Sequence, residues 1–400
     1  MITGITRRQF LLSLAFLVSL LPGCASPASQ QTASQQSASN SFTFSVLSDP
    51  QWTSDGWVNA LTEARDSKVN PDPKFGRSEF IFVPGDTSPI DAMYGDFTKI
   101  FNGAAVTPLF LPIIGNHDAD DKGGFPGGMG GMSQGVPPQG GQPGMDMPQG
   151  EGGPSGQGEG GQQPGMGQRS GMGMGQGGMA PGGAMGGPSQ SAGDASIIDM
   201  DFISDKIIAA IPGVVRMSDK SFTYYYDKEN VRMISIDAFS GEAGAGGVIT
   251  DKGRTWTEKA ITSAPATIDH IFIGFHAPAF PRGRHTSDCF VTNTGQRNAF
   301  WNMLIAHKDK VRAVFNGHTH VYCRMRVLNP AGADANDFSK YPDEEGGIYQ
   351  VNAGSTSMGM KNTFIKVKVE GKNVYFRSYE AENGKDKAFA VKEEWSIINK

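Results

Sequence analysis

The chain has 400 residues, with 35 Lys+Arg, 40 Asp+Glu and a formal net charge of -5; 19% of residues are charged and 38% hydrophobic. This balance excludes a multi-span membrane protein and a chain disordered throughout, and gives no support to nucleic-acid binding through bulk charge. Three cysteines exclude a disulfide scaffold and a four-cysteine zinc site.

The N-terminus has the pattern of an export signal, residues 1–23. Arg7-Arg8 precede a nearly charge-free apolar run over 11–21 that ends at Pro22-Gly23-Cys24. The run is too short to span a bilayer as a mature helix. Arg7-Arg8-Gln9-Phe10-Leu11 resembles a bacterial twin-arginine signal, and Leu21-Pro22-Gly23-Cys24 resembles a lipobox. The resemblance implies lipidation of Cys24 and a lipoprotein anchored to a membrane of the cell envelope. Residues 24–40 are Ser/Gln/Ala-rich and uncharged, which suits a flexible tether.

The main domain, 41–400, opens with a strand pattern over 42–47 that ends at Asp49. A helix is expected over 55–66 and an apolar strand over 80–83 that runs into Gly85-Asp86. Residues 109–114 lead directly into Gly115-Asn116-His117-Asp118. Then comes a stretch of another kind, 123–193, in which 29 of 71 residues are glycine and 9 are methionine. It lacks the apolar content to offset its ordering entropy, so a disordered insertion is expected; a mobile lid, a spacer and an inert segment all remain open. Beyond it, 197–211 has helical periodicity, 222–226 and 231–236 read as neighbouring strands, and 253–263 as a helix with Trp256 on its apolar side. A buried strand over 271–275 ends at His276. A helix over 296–307 precedes a strand over 311–315 that ends at Gly317-His318-Thr319-His320. Arg324 and Arg326 follow on an outgoing strand, and 348–351, 363–369 and 374–379 are further strands. Apolar strands between helices predict a layered α/β fold, while the hairpin-like pairs exclude a purely parallel sheet. Two packed mixed sheets with helices outside satisfy both.

Five polar clusters each follow a predicted strand: Asp49-Pro50-Gln51, Gly85-Asp86, Gly115-Asn116-His117-Asp118, His276-Ala277-Pro278 and Gly317-His318-Thr319-His320. Any one alone is a turn, a cap or a structural histidine; five in this order are hard to obtain as packing. The set resembles the calcineurin-like metallophosphoesterase family, over 42 to about 379 apart from the insertion. The resemblance implies a four-layered α/β/β/α sandwich with two mixed β-sheets. It also implies a dinuclear centre of divalent or trivalent ions and a metal-bound hydroxide nucleophile. Asp49, Gln51, Asp86 and His320 would hold one ion, and Asp86, Asn116, His276 and His318 the second, with Asp86 bridging. His117 would be the catalytic histidine and Asp118 its orienting partner. Independently, two hard cations want oxygen and imidazole donors, and their surplus charge attracts phosphate.

Two departures shape the expectation. Gln51 stands where the family commonly has His, which shifts the metal toward manganese, iron or calcium relative to zinc. Pro89 occupies the position of the iron-ligating tyrosine of purple acid phosphatases, so the protein should not be purple. Arg282 and Arg284, six and eight residues past His276, are candidates to hold a phosphoryl oxygen by bidentate bonds. With Asn116 they make up the expected substrate-binding set. The ligands leave monoesters and diesters, the latter of nucleotides or lipid head groups, both open; the two arginines favour a monoester dianion. A non-catalytic, metal-containing surface binding protein is the competing class. Trp52 and Trp57 suit a pocket wall or the core. Asn352-Ala353-Gly354-Ser355 suits a pocket lining or a turn, and Cys289 and Cys323 suit a disulfide or buried thiols.

Overall fold

A computed structural model describes residues 41–51, 54–66, 75–104, 108–120, 200–332, 342–357, 361–384 and 387–399. The export signal with Cys24, the tether, Trp52 and the whole of 123–193 lie outside the described residues.

The first strand, β1 (Ser41–Val46), shows how the sandwich is built. Its sequence alternates, so Phe42, Phe44 and Val46 share one face. Phe44 stacks on Phe80 of β2 (Ser78–Val83) at 4.6 Å and meets Phe272 of β9 (His270–Gly274) edge-on at 5.2 Å. The first contact lies within one sheet and the second crosses to another. The aromatic layer between two sheets is therefore the core, and ring pairs of this kind add to the stabilisation from buried area.

The first sheet has the order β15-β14-β13-β1-β2-β3. β1, β2 and β3 (Leu109–Pro112) run parallel; β13 (Asn362–Glu370), β14 (Asn373–Ala381) and β15 (Ala390–Ile397) extend it antiparallel. The second sheet has the order β11-β12-β10-β9-β6-β5-β4. Here β6 (Val231–Ser235), β9, β10 (Val311–Asn316) and β12 (Ile348–Ala353) are parallel. β5 (Tyr224–Lys228) and then β4 (Val215–Arg216) extend it antiparallel at one end, and β11 (Tyr322–Val327) at the other. A short ribbon joins β7 (Gly244–Ala245) to β8 (Val248–Ile249).

Helices flank both sheets, giving an α/β fold with two mixed sheets consistent with a four-layered sandwich. Helix α1 (Asp55–Asp66) packs on β13 and on α2 (Ile90–Phe101), and Trp57 Nε1 donates to Met93 O at 3.3 Å. Trp57 is thus core. On the other side, α4 (Asp251–Thr262) is capped by Thr250, whose hydroxyl accepts from Gly253 N. α5 (Thr294–Ala306) is capped by Asn293, which accepts from Gln296 N. The short α3 (Asn116–Asp120) follows β3.

Among the longer elements, three differ from the sequence expectation. α2 appears only in the structure; its Ile90, Met93, Phe97 and Phe101 are buried at helical spacing, but Pro89 and Gly95 disguise the run as a loop. β15 is also new, since its residues are mostly exposed and lack a buried alternation. The segment expected as one α-helix over 197–211 is π-helical over Ile203–Ile207 and 3-10 over Ile208–Ala210.

Candidate metal centre

In each sheet the parallel strands end at a common edge, and the five polar clusters follow β1, β2, β3, β9 and β10 there. This is where open α/β sheets place ligands. Backbone bonds tie the loops together: Asp49 N donates to Gly85 O (3.3 Å) and Gly317 N to His276 O (3.0 Å).

Glycine is required at three of these loops. A Cβ on Gly85 would lie 2.4 Å from His276 Nδ1, one on Gly115 2.2 Å from Asp86 Oδ1, and one on Gly317 2.0 Å from Ser48 Oγ and 2.3 Å from Asp49 Oδ2. The residues beside them have uncommon backbones. Asp49, Asp86, His318 and His320 have φ of 49°, 56°, 69° and 56°. Such left-handed conformations cost energy for residues with a Cβ and collect at functional sites.

The side chains converge. His276 is fully buried and its Nδ1 donates to Pro84 O at 2.6 Å, which turns Nε2 toward the cluster. There Nε2 lies 3.1 Å from Asn116 Oδ1, 3.2 Å from Asp86 Oδ2 and 3.3 Å from His318 Nδ1. His318 Nδ1 is 2.9 Å from Asn116 Oδ1. A second group adjoins it: His320 Nε2 is 3.2 Å from Asp49 Oδ1, and Gln51 Nε2 donates to Asp86 Oδ2 at 2.6 Å. A half-turn of the Gln51 amide presents its oxygen to the same region. Ligand atoms of Asp49, Asp86 and His276 all fall within 4.8 Å of one another.

Main-chain amides and one hydroxyl hold the carboxylates in place. His318 N donates to both oxygens of Asp49 (3.0 and 3.1 Å), Ser48 Oγ to Asp49 Oδ2 (2.6 Å), and His117 N to Asp86 Oδ1 (3.0 Å). Burial raises the Asp86 pKa, but the charges of His276 and His117 outweigh it and hold the carboxyl well below the usual range. For His276 burial lowers the pKa, and the Asp86 carboxylate reverses the sign, so the pair is ionised. A cation among these atoms would displace the proton. Buried carboxylates facing imidazoles and an amide oxygen form the donor set that divalent metals require, so the residues present fit a metal pair.

Asp118 does something else. Its Oδ1 accepts from Thr87 N (2.8 Å) and Thr87 Oγ1 (3.2 Å), and its Oδ2 from Gly115 N (2.9 Å). The carboxylate expected to orient His117 thus fastens the loop after β2 to the loop after β3. Burial and the nearby Asp86 charge raise it to about 7. His117 is exposed on the rim of the cluster. The two candidate arginines part company. Arg282 is 2% exposed and donates to Pro281 O at 2.8 Å, whereas Arg284 is exposed.

Other expectations resolve structurally. Cys289 and Cys323 are buried free thiols. Arg324 pairs with Glu393 at 2.8 Å and Arg326 with Asp343 at 2.5 Å. Ser355 Oγ donates to Asp49 O at 3.1 Å, so the segment after β12 braces the first cluster. His285 carries no motif of its own in the sequence. Its ring is 5.7 Å from that of His318 and 5.6 Å from that of His320, over both halves of the cluster, and the residue is exposed with φ of 51°. Its place nine residues after His276, beside the two arginines, is the one signal the sequence holds.

No protein-family model and no curated protein matches the chain. Among solved structures it is similar to a dimetal phosphatase from Danio rerio, at 10% identity over 89% of this chain and 98% of that one, with a TM-score of 0.49. It is similar to a purple acid phosphatase from yellow lupin seeds, at 13% identity over 90% of this chain and 54% of that one, TM-score 0.48. It is also similar to GAP50, the anchor in the inner membrane complex of Plasmodium, at 13% identity over 90% of each chain, TM-score 0.47. Likenesses of this degree carry no inference about activity.

Proposed function

We propose that the protein is a metal-dependent phosphoric-ester hydrolase with two metal ions, acting preferentially on phosphomonoesters. The carrying observation is the convergence of Asp49, Gln51, Asp86, Asn116, His276, His318 and His320 from five loops of two sheets, held by strained backbones and glycine contacts. Asp49, Gln51, Asp86 and His320 would hold one ion, and Asp86, Asn116, His276 and His318 the other. When bound, such a pair supplies charge that polarises a phosphoryl oxygen and activates water.

The chain's own residues supply the rest. His117, exposed at the rim, protonates the departing alkoxide. Arg284 and His285, on the solvent side, meet the nonbridging oxygens of a dianion; Arg282 is set aside because it is buried. Asp118 keeps the two metal-binding loops in register. Gln51 in place of an imidazole favours manganese, iron or calcium over zinc. The export and lipobox patterns put this activity in the cell envelope on a lipid anchor at Cys24.

The test is turnover of a chromogenic phosphomonoester and a phosphodiester by metal-stripped protein resupplied with manganese, iron, zinc or calcium. Turnover of both, with the monoester faster, is expected; a faster diester would reverse the preference. Two bound ions without hydrolysis of either ester would make the protein a binding module. For the anchor, Cys24→Ala should move the protein from the membrane to the soluble fraction, and no change would refute lipidation.

A further inference from the structure

The two ring nitrogens of His318 have different surroundings. Nδ1 faces the cluster, 3.3 Å from His276 Nε2 and 2.9 Å from Asn116 Oδ1, an acceptor that competes with Asp288 for the ring proton when no cation is bound. Nε2 is buried and faces outward, 3.1 Å from Asp288 Oδ1. The carboxylate sits off the axis of an ideal ring N–H bond, so the contact is an ion-pair approach more than an aligned hydrogen bond. It is nonetheless the acceptor that this nitrogen faces. A neutral imidazole can offer Nδ1 to a cation only if its proton is on Nε2, and a buried N–H needs an acceptor.

We infer that Asp288 is a positioning residue of the metal centre: its carboxylate faces the Nε2 edge of His318 at ion-pair distance and favours the ring form with the proton on Nε2, which leaves the Nδ1 lone pair directed at the cluster. The inference rests on the metal-dependent reading above. Its geometry is built in. Cys289, fully buried, anchors the turn that carries Asp288, its Sγ donating to His285 O at 3.0 Å. Thr292 N closes the following turn on Cys289 O at 3.1 Å. The His318 side chain is 4% exposed and that of Asp288 53%, so the carboxylate stands at the surface while the imidazole stays inside. Carboxylate–imidazole–metal arrangements of this kind orient the ring and raise its basicity.

Asp288, Cys289 and His318 also place three ligand atoms within 4.8 Å of one another, the size of a cation site of their own. One observation weighs against that use: the thiol is engaged as a donor to His285 O at 3.0 Å. Asp288→Ala separates the roles. Metal content and Mn2+ or Zn2+ affinity are read by elemental analysis and calorimetry, and the His318 tautomer by imidazole nitrogen resonances of the metal-free protein. Expected are a loss of about 10–100-fold in affinity for one of two ions, the usual cost of removing such a partner, and a shift of the ring away from the Nε2–H form. The melting temperature should stay within a few degrees. Asp288→Asn, which still offers an oxygen, should restore the tautomer and part of the affinity. Unchanged tautomer and affinity in Asp288→Ala would overturn the inference, as would a third ion lost from the wild-type stoichiometry. Affinity and melting temperature falling together with no tautomer change would also overturn it. Wild-type protein that binds no metal would instead remove the hydrolase reading, and the tautomer alone would then decide the Asp288 contact.

Discussion

His117 contributes to the cluster through its main chain and leaves its side chain on the rim. Its N–H holds Asp86 Oδ1 at 3.0 Å, a bond that any residue but proline would make at this position. His117→Ala should therefore keep both metals. It should slow esters of poorly acidic alcohols by about 10²–10⁴-fold, the usual range for general acid catalysis, and affect nitrophenyl esters less. The measurement is turnover across a leaving-group series, paired with elemental analysis. Metal loss without leaving-group dependence would make His117 structural. Gly317 offers the opposite case, in which backbone space is the function. A methyl group there would meet Ser48 Oγ, Asp49 Oδ2 and Pro84 O at 2.0, 2.3 and 2.9 Å. Gly317→Ala should thus cost about 1–3 kcal/mol by overpacking and lower metal content with it. Denaturant unfolding and metal analysis check it; a variant that keeps full stability and metal would show that the loops can part freely.

At the scale of elements, β13 carries a buried lysine. Lys366 is 1% exposed and its Nζ donates to Gly76 O at 3.3 Å. Burial, with the Arg377 charge adding and Glu63 opposing, pushes its pKa down from 10.5 to about 8. Between these values the unfolded chain holds a proton that the folded chain has released. The Lys366 contribution to stability therefore rises with pH across this window, on the order of 3 kcal/mol at about 1.4 kcal/mol per unit. Lys366→Met should flatten that rise, as read by urea unfolding of both proteins from pH 7.5 to 10.5. Parallel curves for the two would show that Lys366 keeps its ordinary affinity for protons in the fold. The elements themselves were unevenly legible. Strands such as β9 and β10 carry apolar runs, 271–273 and 313–315, because both faces are covered there, and their sequences say so. α2 interrupts its own pattern with Gly95, and β15 buries too little to leave one.

At the scale of the whole molecule, two sheets pack through an aromatic layer and bring five loops to one edge. The 123–193 insertion enters soon after Asp118, beside that edge in sequence. Its composition offers nothing to a core, and long loops cost little more entropy than short ones. Replacing it with a short linker should leave the melting temperature within a few degrees. A large drop would mean that it docks on the domain, and unchanged stability with altered ester preference would make it a gate.

What the sequence determined by itself was chemical type and local placement. Aspartates, histidines, an asparagine and a glutamine each follow an apolar run, with glycine at hand where loops must approach, and these patterns are written in neighbouring residues. Only the tertiary structure decided which atoms meet. Arg282 and Arg284 are two residues apart, yet one is buried and the other faces solvent. Asp118 serves Thr87 and Gly115, and Asp288 and His285 reach His318 from a loop that no periodicity marks. The left-handed backbones of Asp49, Asp86, His318 and His320 belong with these. Local sequence encodes which side of a strand is apolar, whereas the meeting of loops from two sheets depends on pairings tens to hundreds of residues apart.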